Sequence, residues 1–361
     1  MKGLGGVVLM FMLLNLTISC YGQLRPGFYL GKCKRGNEFF NVEAIIRGVV
    51  EAEFRESRDG PKMAAALLRL QFHDCFVTGC DASLLLDGPD SEKKADANGS
   101  VRGYDVIDKV KAALEIACPG VVSCSDIIAV ATRDAVKLSK GLSYRVETGR
   151  RDTVFVSKKG DVNLPSPSIT VKDSVKLFES KGINKADMVL LLAAHTVGIT
   201  HCAQVHGRLY NFRNKGKRDP TMGDDLFNSW SKTCPRNGGP NKEIALDQTP
   251  NSINVVDTGY LKQIKVQRGV LEIDQGLGLA PETAEIVRSY ADGPLSKFFL
   301  SHFGEAMIKL GRVGVLTGKN GEVRRFCNAV NNPKPVQPTP VQPKPDGPTP
   351  KPAGGLTSLG L

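Results

Sequence analysis

The chain has 361 residues, of which 41% are apolar and 24% charged. That is the make-up of a soluble globular protein, long enough for one large or two medium cores. Its net charge of +11 is scattered, not grouped in blocks, which favours a basic surface that adheres to polyanions such as acidic polysaccharide. No recognition motif argues for nucleic acid.

Residues 1–22 read as a secretory signal, with Lys2 as the charged start, Val7–Leu14 as the apolar run, and Cys20 and Gly22 before the cut. The run is too short to span a bilayer, so no membrane is expected as a partner. Cleavage there leaves Gln23, which can cyclise to pyroglutamate. A lipoprotein leader with Cys20 lipidated is the alternative. Nine cysteines become eight once Cys20 is removed, and an even count in a secreted chain points to four disulfides. Eight cysteines allow 105 pairings, among which spacing does not choose. Zinc is the competing use. However, the one short C-x₄-C pair, Cys75 and Cys80, sits in an oxygen-rich loop, not in a Cys/His cluster.

Gln23 to Phe39 is polar and irregular. Val42 to Arg55 has helical periodicity, and Gly60–Pro61 breaks it. Ala64 to Asp87 then reads as an apolar helix followed by a loop. Arg69 and His73 are four residues apart and share a helix face. Among Leu, Ala and Phe they are an expensive pair, and alone they suggest buried residues balanced by local carboxylates. Asp74, Asp81 and Ser83 supply hard oxygens and Gly79 a tight turn, a combination that suits Ca²⁺. Gly88 to Arg102 is a loop holding Asn98-Gly-Ser100, the only glycosylation sequon of the mature chain. Helices are expected over Val106–Ala117, Ser125–Ser139, Val171–Glu179 and Lys185–Ala194. The last runs into His195, which alone reads as a satisfied core histidine; His201, His206 and His302 have even less context. Lys215 to Lys242 is loop-rich. Glu282–Tyr290, started by Pro281, and Leu295–Val313 are the last helices, and Gly318–Ala329 closes the domain with Cys327. Asn332 to Leu361 carries nine prolines in thirty residues and should be an extended polyproline-II tail. Its apolar end, Gly355–Leu361, is either a sorting signal or a terminus with no role.

The string R-L-x-F-H-D-C-F-V-x-G-C-D-A-S, from Arg69 to Ser83, resembles the distal haem signature of the plant secretory (class III) haem peroxidases. Four further stretches continue the resemblance: Glu92–Tyr104, Gly149-Arg150-Arg151-Asp152, Asn163-Leu164-Pro165, and D-M-V-L-L-L-A-A-H-T-V-G ending at Gly198. Arg208–Phe212 and GVLEIDQGLGL extend it, so that it spans about residues 23–331. Tyr144 stands where that family commonly has Trp.

The resemblance implies an all-α fold, with a distal half (about 23–160) and a proximal half (161–331) sandwiching one haem b. Four disulfides would staple it, Cys33–Cys118, Cys75–Cys80, Cys124–Cys327 and Cys202–Cys234. His195 would be the proximal iron ligand and Asp274 its carboxylate partner. Arg69 and His73 would cleave peroxide, Asn98 would accept a hydrogen bond from His73, Phe72 would wall the haem, and Pro165 would offer a carbonyl at the haem edge. The buried role of Asn98 competes with its sequon. Two calcium ions are implied. The distal one would use Asp74, Val77, Gly79, Asp81 and Ser83, with Glu92 through water. The proximal one would use Thr196, Asp247, Thr249, Val255 and Asp257.

The implied activity is hydrogen peroxide reduction coupled to one-electron oxidation of phenolic donors through an oxoferryl and porphyrin-radical intermediate. It would belong to a secreted monomer of the cell wall, or of the vacuole if the tail sorts it there. Two rival readings are a hydrolase with a metal on His73, His195 and a carboxylate, and a silent wall protein acting through its tail. The proximal loop strays from the family. Thr249 follows Asp247 by two residues and Asp257 follows it by ten, where three and eight are usual. The proximal ion is therefore expected to be the weaker.

Overall fold

The computed structural model describes residues 24–332. The expected leader, residues 1–22, Gln23 and the proline-rich segment beyond Asn332 lie outside the described residues. Contacts within the chain separate Met1–Asn331 from Asn332–Leu361, and apart from Asn332 every described residue belongs to the first unit.

The described residues are all-α in class. In the first half α1 (Val42–Glu56), α2 (Met63–Val77), α3 (Tyr104–Ala117) and α4 (Cys124–Leu138) pack together. The rest holds α5 (Val171–Glu179), α6 (Lys185–Leu192), α7 (Cys202–Tyr210), α8 (Asp224–Thr233) and α9 (Gly259–Lys265), then α10 (Glu272–Leu279), α11 (Pro281–Ala291) and α12 (Phe299–Leu310). Side-chain caps start several of them: Asn41 accepts from Ala44 N, Ser123 from Asp126 N, Thr170 from Asp173 N and Asn184 from Asp187 N, each satisfying an orphan donor of a first turn.

Two cores form, and α2 feeds both. Met63, Ala64, Leu67 and Leu70 pack with Ile46 and Val50 of α1 and Ile127 of α4. Leu68, Cys75 and Phe76 join the second core with Phe178, Val189 and Phe303. A helix buried on two sides reads as apolar nearly all round, which is why α2 shows no clear stripe in sequence. Its remaining face carries Arg69, exposed, and Phe72, half-buried.

Four disulfides join Cys33–Cys118, Cys75–Cys80, Cys124–Cys327 and Cys202–Cys234. The Cys124–Cys327 bridge closes a loop of 203 residues, the kind that constrains an unfolded chain most in the chain-entropy account.

Besides helices α7, α9 and α10, for which periodicity gave no expectation, three details differ from the periodicity reading. The stretch expected to be loop-rich contains α8, whose sequence DDLFNSWSKT buries Leu226 and Trp230 four residues apart; with Phe227 that makes three apolar residues in ten, too few to signal a helix. The last helix begins as a 3₁₀ turn, Ser296–Phe298, before α12. Finally, α6 ends at Leu192, and Ala193–Thr196 tightens into a 3₁₀ turn that carries His195. A short ribbon follows it, β3 (Ile199–His201) antiparallel to β4 (Glu243–Ala245) with Ile199 opposite Ala245. An earlier ribbon pairs β1 (Lys34–Arg35) with β2 (Glu38–Phe39).

A buried ion pair ties the two cores. Asp126, fully buried at the start of α4, accepts from Tyr29 Oη at 2.7 Å, from Gly149 and Arg150 N–H, and from the Arg150 guanidinium at 2.8 Å. Arg150 also donates to Gly311 O at the end of α12. Arg150→Met strands the Asp126 charge and that carbonyl together. Breaking one partner of such a pair costs about 3–5 kcal/mol, to be read from urea unfolding at pH 7; a loss below about 1 kcal/mol would show that the pair is no more than a surface contact.

Candidate active site

Helix geometry puts the Arg69 and His73 side chains together. Arg69 Nε donates to His73 Nε2 at 3.2 Å. Arg69 is itself held by the loop after it: Nη1 donates to Ser100 Oγ at 2.9 Å and Ser100 O at 3.2 Å, and Nη2 to Ala97 O at 3.0 Å. On the other side of the ring His73 Nδ1 lies 2.6 Å from Asn98 Oδ1, while Asn98 Nδ2 donates to Glu92 O at 2.7 Å. The chain assigns the tautomer. With the amide nitrogen committed to Glu92, Asn98 offers only its oxygen, so Nδ1 carries the hydrogen and Nε2 keeps its lone pair.

Burial, then the like charge of Arg69, drives the His73 pKa down from the ordinary 6.5 to about 4, while the Asn98 hydrogen bond pulls the other way. His73 is therefore a neutral base. Asn98 is only 2% exposed, and both ends of its amide are hydrogen-bonded within the fold. Phe72 stacks on Phe76 at 4.5 Å and reaches Phe178 of α5 at 5.9 Å. Pro165 sits half-buried in the irregular segment before α5.

His195 lies on the 3₁₀ turn after α6, and that turn touches α2. Gly198, at φ +98°, passes so close that a Cβ there would lie 2.7 Å from Ala65 Cβ. His195 Nδ1 is 2.9 Å from Asp274 Oδ1. Asp274 is fully buried, on α10. Burial pushes its carboxyl up, but the His195 ring, Leu271 N–H and Tyr260 Oη outweigh that and leave it below the usual range. With Nδ1 committed, Nε2 is the nitrogen left to ligate, and the side chain is 29% exposed. His206 and His302 lie in aromatic contacts with Tyr210 and Tyr290, and neither joins this site.

Two oxygen clusters flank the histidines. In the first, Asp74, on the turn of α2 after His73, accepts from Ala82 and Leu84 N–H. Asp81 and Ser83 meet at Thr78 Oγ1 within 3.2 Å. Glu92 is fully buried with neither carboxylate oxygen hydrogen-bonded. Burial first, then the neighbouring carboxylates, raises Asp74 well above the usual range and Glu92 to about 7. The carbonyl of Val77 accepts from Lys181 Nζ at 3.0 Å, and that of Gly79 from Asp81 N.

In the second cluster, Thr196 Oγ1 lies 3.5 Å from Asp247 Oδ2, 3.2 Å from Val255 O and 3.4 Å from Asp257 Oδ1. A Cβ on Gly259 would meet Asp247 Oδ2 at 2.4 Å, Thr249 Oγ1 at 2.8 Å and Asp257 Oδ1 at 2.9 Å, so all three oxygens converge on one point. The β3–β4 ribbon, with Leu246 N donating to Gly198 O, brings Thr196 to this loop. Among the described residues no three His, Cys, Asp or Glu side chains have metal-binding geometry by themselves, so an ion in either cluster must also draw on hydroxyls and carbonyls.

Sequence reasoning did not find Ala97 and Ser100 as the holders of Arg69, or Tyr260 as a partner of Asp274. Backbone carbonyls carry no side-chain signal, and Tyr260 passes for a core aromatic.

The chain matches the family model described as Peroxidase over residues 46–293. It is 47% identical to Peroxidase 60 of Arabidopsis thaliana over 332 residues, covering 91% of this chain and 96% of that one. Identity to Peroxidase 57 of the same plant is 48%, with 86% and 94% covered. Identity to a peroxidase of Armoracia rusticana is 41%, with 86% and 92% covered.

The His73 environment sets a pH dependence. Its folded pKa lies below the unfolded value, so the unfolded chain takes up a proton first, and stability is lost as pH falls from about 6.5 toward 4. Arg69→Leu removes the like charge. Histidine NMR titration should then find His73 moved up from about 4 toward its ordinary value; an unmoved or lower value would contradict the assigned cause.

Proposed function

The chain belongs to the peroxidase family, in its plant secretory haem class, and we propose that Arg69 and His73 form the peroxide-cleaving pair of a haem carried on His195. As a peroxidase it is an oxidoreductase that reduces hydrogen peroxide using small-molecule donors, and the family implies haem. One observation carries the residue assignment: the chain from Arg69 through His73 and Asn98 to Glu92, which leaves one neutral imidazole lone pair beside a guanidinium.

Haem bound through His195 Nε2 would supply the electrons that break the O–O bond and recover them singly from donors. Peroxide displaces the Arg69 N–H from His73 Nε2. Nε2 then takes the proton from one peroxide oxygen and hands it to the other, which leaves as water. Arg69, anchored by Ala97 and Ser100, sits within reach of the oxygen on which charge grows. Asp274 accepts a hydrogen bond from His195 Nδ1–H and strengthens the ring as a donor through Nε2. Phe72 closes the peroxide side to larger molecules, and phenolic donors meet the edge near the Pro165 carbonyl.

Both oxygen clusters fit calcium. Ca²⁺ accepts six to eight oxygens in irregular geometry, and a divalent ion would compensate the crowded carboxylates of Asp74, Asp81 and Glu92. The distal ion would use Asp74, Val77, Gly79, Asp81 and Ser83, with Glu92 through water; the proximal one would use Thr196, Asp247, Thr249, Val255 and Asp257. The distal ion would also brace Glu92, whose carbonyl holds Asn98.

The leader would send the chain out of the cell as a monomer, and its basic surface would meet acidic wall polysaccharide. The vacuole is the destination if Gly355–Leu361 sorts it there. No helix of the described residues is long and apolar enough to cross a membrane, and neither membrane nor nucleic acid enters this reading.

His73→Ala should slow the peroxide step by about 10²–10⁴-fold in stopped flow while haem stays bound, and His195→Ala should change the ferric absorption spectrum. An unslowed peroxide step in the first variant, or an unaltered spectrum in the second, would remove that residue from its role. Chelation should strip one calcium readily and a second slowly. By metal analysis Asp247→Ala should retain one calcium per haem where the parent holds two; equal content in both would show that Asp247 holds none.

A further inference from the structure

Asp274 has a third partner that the mechanism above does not use. Tyr260 Oη donates to Asp274 Oδ1 at 2.8 Å, and this is the oxygen that His195 Nδ1 meets at 2.9 Å. Leu271 N–H occupies Oδ2 at 2.9 Å. Tyr260 is 1% exposed and Asp274 fully buried, so water does not dilute the contact. The Tyr260 ring stands edge-on to His195, with centroids 5.8 Å apart. The phenol comes from the first turns of α9 and the carboxylate from α10, so both elements must pack for the contact to form.

We propose that Tyr260 is a positioning residue that moderates the proximal ligand, an inference that rests on His195 being the iron ligand. A carboxylate accepting from Nδ1 draws the imidazole toward imidazolate and favours ferric iron. A phenol donating to the same oxygen shares its charge and weakens that pull. Tyr260 therefore sets the strength of the Asp274–His195 bond from behind. It acts through Asp274 and touches no substrate.

Tyr260→Phe removes the hydroxyl and keeps the ring. In the haem-loaded protein the iron–histidine stretching band of the ferrous form should rise, because the ligand gains imidazolate character. The ferric-to-ferrous equilibrium should move toward ferric by roughly three- to tenfold, the span of one net hydrogen bond; tenfold corresponds to about 59 mV for a one-electron couple. A merely structural tyrosine would lower the melting temperature and leave band and potential in place, and that result overturns the proposal. Asp274→Asn is the control. If it lowers the band and raises the potential while Tyr260→Phe moves neither, the proximal reading stands and the role of Tyr260 falls. If His195→Ala keeps the parent's axial signature, the proximal reading itself fails. Should Tyr260→Phe prove unstable, Tyr260→Leu, which also lacks the donor, is measured for the same two shifts; their absence in a folded variant counts against the proposal.

Discussion

Both histidines are oriented through Nδ1, and much of the surrounding structure serves those two hydrogen bonds. The acceptors differ in charge. His73 faces the neutral oxygen of Asn98 and His195 the carboxylate of Asp274. A neutral acceptor fixes the tautomer without making the ring hard to deprotonate again, which suits a proton shuttle. An anionic acceptor loads negative charge onto the ring, which suits a ligand. In the proposed roles, the same geometric device would give a base on one side and a donor to iron on the other.

The cost of burying such groups is met by their neighbours. His73 is 8% exposed and next to a cation, so it remains neutral and needs no counter-charge. Arg69 cannot shed its proton, and it is partnered by Ser100 and Ala97 and left open to solvent on one face. Glu92 links two functions in one residue. Its carbonyl fixes Asn98, and its carboxylate belongs to the oxygen cluster behind α2. A change in that cluster therefore reaches His73 through two residues, Glu92 and Asn98. Arg324, fully buried, donates to Asp81 O, Ala82 O and Cys327 O, which ties the same loop to the closing segment of the domain.

Much of this was legible in sequence, for identifiable reasons. Arg69 and His73 are one helical turn apart, and a turn apart on a helix means adjacent. Helices with one apolar face, such as α1, appear in the periodicity within a residue or two. The histidine on the turn after α6 was not legible by periodicity; only the string around it, compared with a family, gave it meaning. The holders of Arg69 are largely backbone oxygens, which any residue can supply. The convergence on Gly259 depends on a ribbon that pairs residues 199 and 245, far apart in the chain. Tyr260 is an apolar-looking residue whose hydroxyl acquires a role only when α9 meets α10.

One proton decides whether His73 can act as a base. Neutron diffraction from crystals of the haem-loaded protein near pH 7 locates it directly. A single deuteron on His73 Nδ1, directed at Asn98 Oδ1, with none on Nε2, is the result predicted. A deuteron on Nε2, alone or together with one on Nδ1, would contradict it, since His73 could then take no proton from peroxide.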